Sequence, residues 1–168
     1  MNEKGDISMD NEATLIDYEE KYADVMNKIE EEQWGSWNNI KDEICQYTEI
    51  KLAQINNEIV GFGYGKRIGD TFYIQVIIVK PKYQHKHIGS MFMDYFINYS
   101  KSLGLGKIVF EGVLANGTLN IEGIVKKYEF KELIRIKEYW GYKFPDVLCT
   151  ECNLKPCKCD NVIFAKEL

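Results

Sequence analysis

Hydrophobic and polar positions along the chain follow two periods, and these predict strands and helices in a mixed order. Alternating or continuous apolar runs predict strands at 14–18, 49–55, 59–66, 71–79, 107–113, 130–140 and 161–166. Apolar residues spaced three and four apart predict helices at 19–33, 37–46, 88–103 and 120–128. Residues 1–11 are polar and acidic and are expected to form a loose tail. The 168-residue chain is long enough for one compact domain with a sizeable core, from residue 12 to residue 168.

The junction between the strand at 71–79 and the helix that follows it is the most informative stretch. The strand is apolar on both faces, as in the middle of a covered sheet, and it stops at Pro81. A basic, polar turn follows, and an amphipathic helix begins around Gly89. The first amides of a helix lack internal acceptors, and the helix dipole favours negative charge beside them. Because Gly89 has no Cβ and Lys86 adds a cation, the junction predicts a pyrophosphate site.

The sequence from Gln84 to Ser90, Gln-His-Lys-His-Ile-Gly-Ser, resembles the Gln/Arg-x-x-Gly-x-Gly/Ala signature of the GNAT superfamily of acyl-CoA-dependent N-acyltransferases. Val79, Pro81 and Tyr83 match a frequent lead-in of that family. His87 replaces the first glycine of the signature, and we expect its backbone to stay in right-handed helical space. The chain has neither the Gly-Lys-Ser/Thr of a P-loop nor the three spaced glycines of a dinucleotide-binding loop.

The resemblance covers roughly residues 12–145 and implies an α/β (α+β) fold: one domain with a mixed, mostly antiparallel central sheet flanked by helices. It also implies that a substrate amine attacks the thioester of acetyl-CoA directly, without a covalent enzyme intermediate. In the family, backbone donors on the strand before the loop stabilise the thioester oxygen. The cofactor-binding residues implied in this way are Ile77, Ile78, Val79, Gln84, His85, Lys86, His87, Ile88, Gly89, Ser90 and Asn116.

The catalytic side chains are less determined than the segment from Gln84 to Ser90, which we call the cofactor loop after its predicted role. Glu111, on the strand after the cofactor-binding helix, is the candidate general base, and a solvated strand residue is the equal alternative. Val125 occupies the position at which the family commonly has a proton-donating tyrosine. Tyr128 is therefore the candidate acid, with a packing role as its alternative. Asn116 lies in an Ala-Asn-Gly turn, and a simple turn residue remains the other interpretation.

Four of the five cysteines lie within eleven positions near the end of the chain. Cys-x-x-Cys followed by Cys-x-Cys is a spacing typical of a tetrahedral thiolate site in a tight loop. The predicted zinc ligands are Cys149, Cys152, Cys157 and Cys159, in a loop at about 147–160. Free or redox-labile thiols are the alternative. A site with four cysteines has no open coordination position, so a structural role is expected, shaping either the acceptor pocket or a partner surface.

Charge and hydropathy exclude several classes of partner. A net charge of −5 argues against nucleic acid, whose phosphates require a basic protein face. There is no apolar run near the length of a membrane span and no signal segment, so we expect no membrane partner and a cytoplasmic location. Monomer and homodimer both remain open.

The sequence therefore predicts an N-acetyltransferase that uses acetyl-CoA and carries a structural Zn²⁺ ion. Its acceptor is a primary amine, on a small molecule or a protein. The alternative is a non-catalytic module that binds acyl-CoA or makes a zinc-dependent interaction.

Overall fold

A computed structural model describes residues 12–34, 40 and 49–168. The strands are β1 (Thr14–Asp17), β2 (Glu49–Ile55), β3 (Glu58–Ile68), β4 (Thr71–Val79), β5 (Lys107–Ala115), β6 (Thr118–Leu119), β7 (Lys131–Ile136) and β8 (Asp160–Glu167). The α-helices are α1 (Ala23–Trp34), α2 (Ile88–Ser102), α3 (Glu122–Lys127) and α4 (Tyr139–Lys143), and short 3₁₀ turns cover Glu20–Tyr22 and Pro81–Tyr83. In the described part of the chain, no helix is both long and apolar enough to cross a membrane.

The strands form one sheet in the order β1-β2-β3-β4-β5-β8-β7, and β6 pairs with β5 beside this path. All neighbours are antiparallel except β4 and β5, which run parallel. A parallel pair needs a crossover, and α2 supplies it. The predicted mixed, mostly antiparallel sheet flanked by helices is confirmed.

Helices cover the two faces of the sheet. On the α2 face, Phe92 and Phe96 pack against Phe72 of β4 and Phe110 of β5. On the α1 face, apolar residues of α1 pack against β3 and the end of β4, and these residues are Met26, Ile29, Phe62, Tyr64 and Ile78. Gly63 is needed for the first of these packings, because a Cβ there would lie 3.0 Å from the Phe96 ring.

A bulge changes which residues of β4 face each side of the sheet. The register with β3 shifts at Tyr64 and Gly65, which leaves Gln75 as the extra residue of β4. Before the bulge Phe72 and Ile74 face α2, and after it Ile77 and Val79 do. The strand reads as a nearly continuous apolar run because the α2 face and the α1 face of β4 are both buried.

Three predictions of elements need comment. The strand predicted at 130–140 is wrong beyond Ile136, because Glu138 has a left-handed backbone (φ +49°) and begins the short helix α4. The two-residue strand β6 was not predicted. The tail at 1–11 and the helix at 37–46 lie outside the described residues except for Ile40, which is buried and donates its N–H to Asn27 Oδ1 (2.8 Å).

Candidate functional site

The two parallel strands at the middle of the sheet separate halfway along their length. β4 and β5 pair only from Thr71 to Ile74 and from Lys107 to Phe110, although both continue for several residues. Leu114 of β5 pairs with β8 on one edge and with β6 on the other. The β5–β6 hairpin therefore takes the edge that β4 has left, and a cleft opens between it and the second half of β4.

Backbone groups of β4 line this cleft. Lys80 donates its N–H to Val60 O on β3 (2.8 Å). Because successive residues of a strand turn their amides to opposite edges, Ile77 and Val79 direct theirs toward the cleft, and Ile78 directs its amide toward β3. The N–H and C=O of one strand residue point to the same edge, so Val79 O lies on the cleft side as well. There it accepts a hydrogen bond from Gln84 Nε2 (2.9 Å). This contact also fixes the start of the loop to the end of β4.

The loop between β4 and α2 presents unpaired backbone donors. The N–H groups of residues 85–90 have no hydrogen-bond acceptor within the described ranges. The first backbone amide after them that donates a hydrogen bond is that of Met91, and its acceptor is His87 O (3.0 Å). Gly89 faces open space, since the nearest atom to a Cβ built there is Ile124 Cδ1 at 4.0 Å. A row of free amides at a helix N-terminus, with no residue of the described ranges in front of it, is an arrangement that binds phosphate.

His87 corrects one expectation. Its φ is +62°, in the left-handed region, so the prediction of a right-handed backbone at this position is wrong. His85 is left-handed as well (φ +60°). Glycine adopts a left-handed backbone without strain, so a histidine at this position bears a steric cost.

A cluster of charges fixes the base of this loop. Glu58 of β3 accepts a hydrogen bond from Tyr83 Oη (2.6 Å) and forms ion pairs with Lys80 (2.9 Å) and Lys82 (3.3 Å). These contacts, the Tyr83 hydroxyl first and Lys80 next, lower the pKa of Glu58 to about 2. The Lys86 Nζ lies 5.4 Å from the Tyr83 ring centroid, so it remains beside the free amides.

Glu111 lies where the strands separate. Phe110 and Gly112 face α2, so alternation puts Glu111 on the α1 face of β5. One carboxylate oxygen accepts a hydrogen bond from Tyr73 Oη on β4, and the other accepts one from Asn161 Nδ2 on β8 (2.9 Å). Tyr73 and Asn161 were not predicted as site residues, because they are 38 and 50 positions from Glu111 and have no local motif.

Tyr128 lies on the opposite face, beside the cofactor loop. Its hydroxyl is within hydrogen-bonding distance of the Ser90 carbonyl (3.0 Å) and of Asp94 Oδ1 (2.7 Å), both in the first two turns of α2. Burial, and then the contact with Asp94, raises the pKa of Tyr128. Val125, at the position of the family tyrosine, packs against the α2-face core instead.

Asn116 is at the tip of the β5–β6 hairpin. Asn116 (φ +51°) and Gly117 (φ +80°) both have left-handed backbones, as the two central residues of a tight hairpin turn require. Asn120, after the hairpin, accepts a hydrogen bond from the Val113 amide through its side chain (3.0 Å). Asn116 therefore has a turn function at the rim of the cleft, with an exposed side chain.

The four cysteines converge on one point. Their Sγ atoms lie within 4.8 Å of one another, with the Cys149–Cys159 and Cys152–Cys157 pairs at 3.8 Å. Sulfurs about 2.3 Å from a tetrahedral zinc ion stand roughly 3.8 Å apart, whereas a disulfide needs about 2.05 Å. The residues present therefore fit a zinc ion, and no pair is a disulfide.

The backbone of this segment, residues 147–160, supports the thiols, and we call it the cysteine knuckle. The Cys159 amide donates to Cys157 Sγ (3.3 Å). Burial raises the pKa of Cys157 to about 11 and raises that of Cys159 further. For Cys152, backbone amides outweigh burial and lower its pKa to about 7. A bound cation would deprotonate all four thiols, so these values describe the knuckle without metal.

The cysteine knuckle lies against the same face of the sheet as Glu111. Val113 and Ala115 of β5 pack against the cysteines, and by alternation they share the α1 face with Glu111. At its outer side, Thr150 Oγ1 approaches Gln33 O at the end of α1 (3.4 Å). The knuckle thus forms part of the wall on the side of the cleft opposite the cofactor loop.

Comparisons with known proteins agree with this geometry. Residues 11–120 match the model of the acetyltransferase (GNAT) family. Similar solved structures are a GNAT family acetyltransferase from Elizabethkingia anophelis with acetyl-CoA bound (21% identity over 95% of this chain and 100% of that one, TM-score 0.69) and a Bacillus subtilis acetyltransferase in complex with CoA (20%, 93% and 97%, 0.69). A ribosomal-protein-alanine N-acetyltransferase from Escherichia coli is also similar (18%, 93% and 94%, 0.71). At these identities the likeness is one of fold, and no curated protein matches the sequence.

Proposed function

The chain belongs to the acetyltransferase (GNAT) family, and on that premise we propose that it transfers an acetyl group from acetyl-CoA to a primary amine. The observation that carries the proposal is the cleft between β4 and β5, which opens beside the free amides of residues 85–90. Solved structures of the same fold hold acetyl-CoA or CoA, which supports acetyl-CoA as the donor.

The pyrophosphate of acetyl-CoA would lie against the loop before α2. The amides of residues 85–90 supply the donors, Gly89 leaves space for the phosphate oxygens, and Lys86 adds a positive charge. From there the pantetheine arm follows the open edge of β4, so that the thioester oxygen accepts from the amides of Ile77 and Val79. Each donor aimed at a developing oxyanion is worth about 2.7–4 kcal/mol of barrier.

The amine would arrive from the α1 face, where Glu111 lies. An alkylamine with a pKa near 10.4 is protonated at pH 7, and forming its neutral, nucleophilic state costs about 4.6 kcal/mol. Glu111 is the carboxylate at the point where the strands separate, and we assign it the role of accepting that proton. The neutral amine then attacks the carbonyl carbon, the nitrogen of the tetrahedral intermediate loses its second proton to water, and the C–S bond breaks as the amide forms.

The thiolate that leaves needs a proton. Tyr128 is our candidate donor, because its hydroxyl is protonated at neutral pH and its contacts with Ser90 and Asp94 hold it beside the cofactor loop; water returns the proton to the tyrosine after each turnover. We further propose that the four cysteines hold a zinc ion. With no open coordination position it would order the knuckle and take no part in the chemistry.

The test is turnover of acetyl-CoA with a panel of primary amines, for the wild type and for Glu111→Gln. Because a general base supplies typically about 10²–10⁴-fold, we expect Glu111→Gln to lower kcat by that range at pH 7. The KM for acetyl-CoA should change little, since Glu111 is on the opposite face from the loop. Free thiol release, followed with a thiol reagent, measures both quantities.

Glu167→Gln is the matched control, because it removes one carboxylate from a side chain that is 79% exposed, and it should keep wild-type turnover. Tight binding of acetyl-CoA without turnover of any amine would instead favour the non-catalytic acyl-CoA-binding module. Full activity of Glu111→Gln would refute the assignment of the base while leaving acetyl transfer intact.

A further inference from the structure

Three neighbouring strands contribute side chains to one hydrogen-bonded row on the α1 face. Tyr73 of β4 and Asn161 of β8 each donate to a different oxygen of Glu111 on β5. Both carboxylate oxygens are therefore fixed, and the plane of the carboxylate is set by residues on either side of it. We propose that Asn161 is a positioning residue for Glu111 and that the cysteine knuckle acts on the reaction through Asn161. This rests on the proposed role of Glu111 as base.

The first argument is the environment of Asn161. Its side chain is 1% exposed, and its Oδ1 is buried without a partner among the described residues. A buried amide is costly unless it makes hydrogen bonds, and here the bond that orients it is the one to Glu111. A buried asparagine with a single such bond is better explained by its effect on Glu111 than by a contribution to the core.

The second argument is the short connection to the cysteines. Asn161 follows Cys159 by two residues, and Cys159 is itself buried. Asp160 between them is tied to the residue that precedes α4, because its Oδ1 accepts a hydrogen bond from the Glu138 amide (3.1 Å). The start of β8 is thus set by the position of Cys159, so any shift of that thiol is passed to the Asn161 amide.

The third argument is the register of the strands. Asn161 pairs with Val113, and Val113 packs against the cysteines. The knuckle therefore packs on Val113, two residues beyond Glu111 along β5, and continues directly into the partner of Val113 on β8, Asn161. Few apolar side chains hold the knuckle. The buried residues of its cluster are Ala115 of β5 and the knuckle's own Cys157 and Cys159. Metal binding is what can order such a segment, and loss of metal would release Asn161.

Zinc removal and substitution of Asn161 should therefore have the same kinetic signature. We expect Asn161→Leu, which keeps the size and removes the donor, to lower kcat by about 10- to 100-fold, the range for a displaced catalytic group. Removal of zinc from the wild type with a chelator should lower kcat by a similar factor, and the KM for acetyl-CoA should stay nearly constant. In Glu111→Gln neither change should lower the residual kcat further, because the carboxylate they position is gone.

A second readout does not depend on activity. Hydrogen–deuterium exchange should accelerate on zinc removal in the peptides at 160–163 and 111–114, and should stay constant at 85–96 around the cofactor loop. Asn161→Asp replaces the donor by an acceptor at equal size and serves if Asn161→Leu does not fold. Asn98→Leu, at an exposed position of α2, is the matched control for the substitution.

The outcomes separate the two proposals. If Glu111→Gln is inactive but the Asn161 variants and the zinc-free protein keep wild-type kcat, the positioning role is overturned and the proposed function stands. If Glu111→Gln keeps full activity, Glu111 is not the base and the positioning role falls with it. Equal losses of kcat in Asn161→Leu and in the zinc-free protein, absent in the Glu111→Gln background, would support the coupling.

Discussion

His87 holds a backbone conformation that is costly for a residue with a side chain. At the start of α2 its φ is +62°, and His85, two residues earlier, is at +60°. A left-handed backbone costs an L-residue about 1–2 kcal/mol, and both residues that bear this cost lie in the loop whose amides are free. The turn is therefore held in place by its surroundings, of which the contact of Gln84 with Val79 O is one.

Replacing His87 by glycine should stabilise the protein. Glycine removes the left-handed cost of about 1–2 kcal/mol, but its larger loss of backbone entropy on folding costs about 0.5–1 kcal/mol, so the net gain in stability is up to about 1.5 kcal/mol. For a chain of this size that raises Tm by about 2–4 °C per kcal/mol, measurable by calorimetry. Lys86→Gly is the matched control, because Lys86 is not among the positive-φ residues and glycine there should only destabilise. Equal effects of both variants would contradict the argument.

At the scale of single residues, the sequence predicted a candidate site best where the residues of that site are adjacent in the chain. The segment from Gln84 to Ser90 is continuous, so its amides and Gly89 were identified before any fold was known. The backbone of His87 was predicted wrongly, because a residue type states a preference and the turn overrides it. The predicted roles of these residues toward acetyl-CoA stay predictions.

Among the elements, the junction of β3, β4 and the following 3₁₀ turn depends on one carboxylate. Glu58, at the start of β3, binds Lys80 at the end of β4 and both Lys82 and Tyr83 in the turn. Its pKa is lowered to about 2 from an ordinary value near 4.5. A carboxylate with a depressed folded pKa stabilises above its unfolded pKa and loses this contribution as pH falls through the folded one.

Glu58→Gln should therefore cost stability at neutral pH and cost less in acid. The side chain is 41% exposed, so the solvent-screened loss at pH 7 is about 1 kcal/mol or less. The gap between wild type and variant should shrink from pH 4.5 towards pH 2, the window set by the two pKa values. Urea unfolding at pH 7 and pH 3 measures it, with exposed Glu31→Gln as the control for losing one charge. A gap independent of pH would contradict the assignment.

Periodicity predicted most elements because most helices and strands here bury one face. The helix at 88–103 was confirmed as α2, ending before Gly104 (φ +66°). Periodicity failed after Ile136, where β7 has no buried residue, so its pattern carried no signal for where the strand ends. The left-handed backbone of Glu138 ends the extended segment, and a glutamate in the sequence does not predict such a conformation.

For the whole molecule, the site forms where distant segments meet. The Tyr73–Glu111–Asn161 row spans three strands, and its contacts depend on the order β4-β5-β8, which a single sequence does not reveal. Of these three residues only Glu111 was predicted as a site residue, because it lies on the strand after the cofactor-binding helix, in a position that can face the cleft. The cysteine spacing predicted a cluster, and the cluster is confirmed, but its place against Val113 and near Gln33 required the fold.

Few buried apolar side chains hold the cysteine knuckle among the described residues, so we expect a bound zinc ion to order it. Substituting Cys152 and Cys157 with serine together should abolish zinc binding, because two of the four thiolates that converge within 4.8 Å are lost. Since structural zinc contributes about 10–16 kcal/mol of apparent binding energy, losing it should disorder the knuckle even if the rest of the sheet persists. We expect Tm to fall by about 10 °C or more, at roughly 2–4 °C per kcal/mol.

Native mass spectrometry with and without acetyl-CoA is the measurement that separates the two sites. The wild type should carry one zinc ion and bind one acetyl-CoA, and the double serine variant should lose the zinc but keep acetyl-CoA, because the cofactor loop lies on the other side of the cleft. Thr150→Ala, an exposed knuckle residue that is not a ligand, should keep both. A wild-type protein without zinc, or a double variant with unchanged Tm, would mean that the thiols are free and that packing alone orders the knuckle.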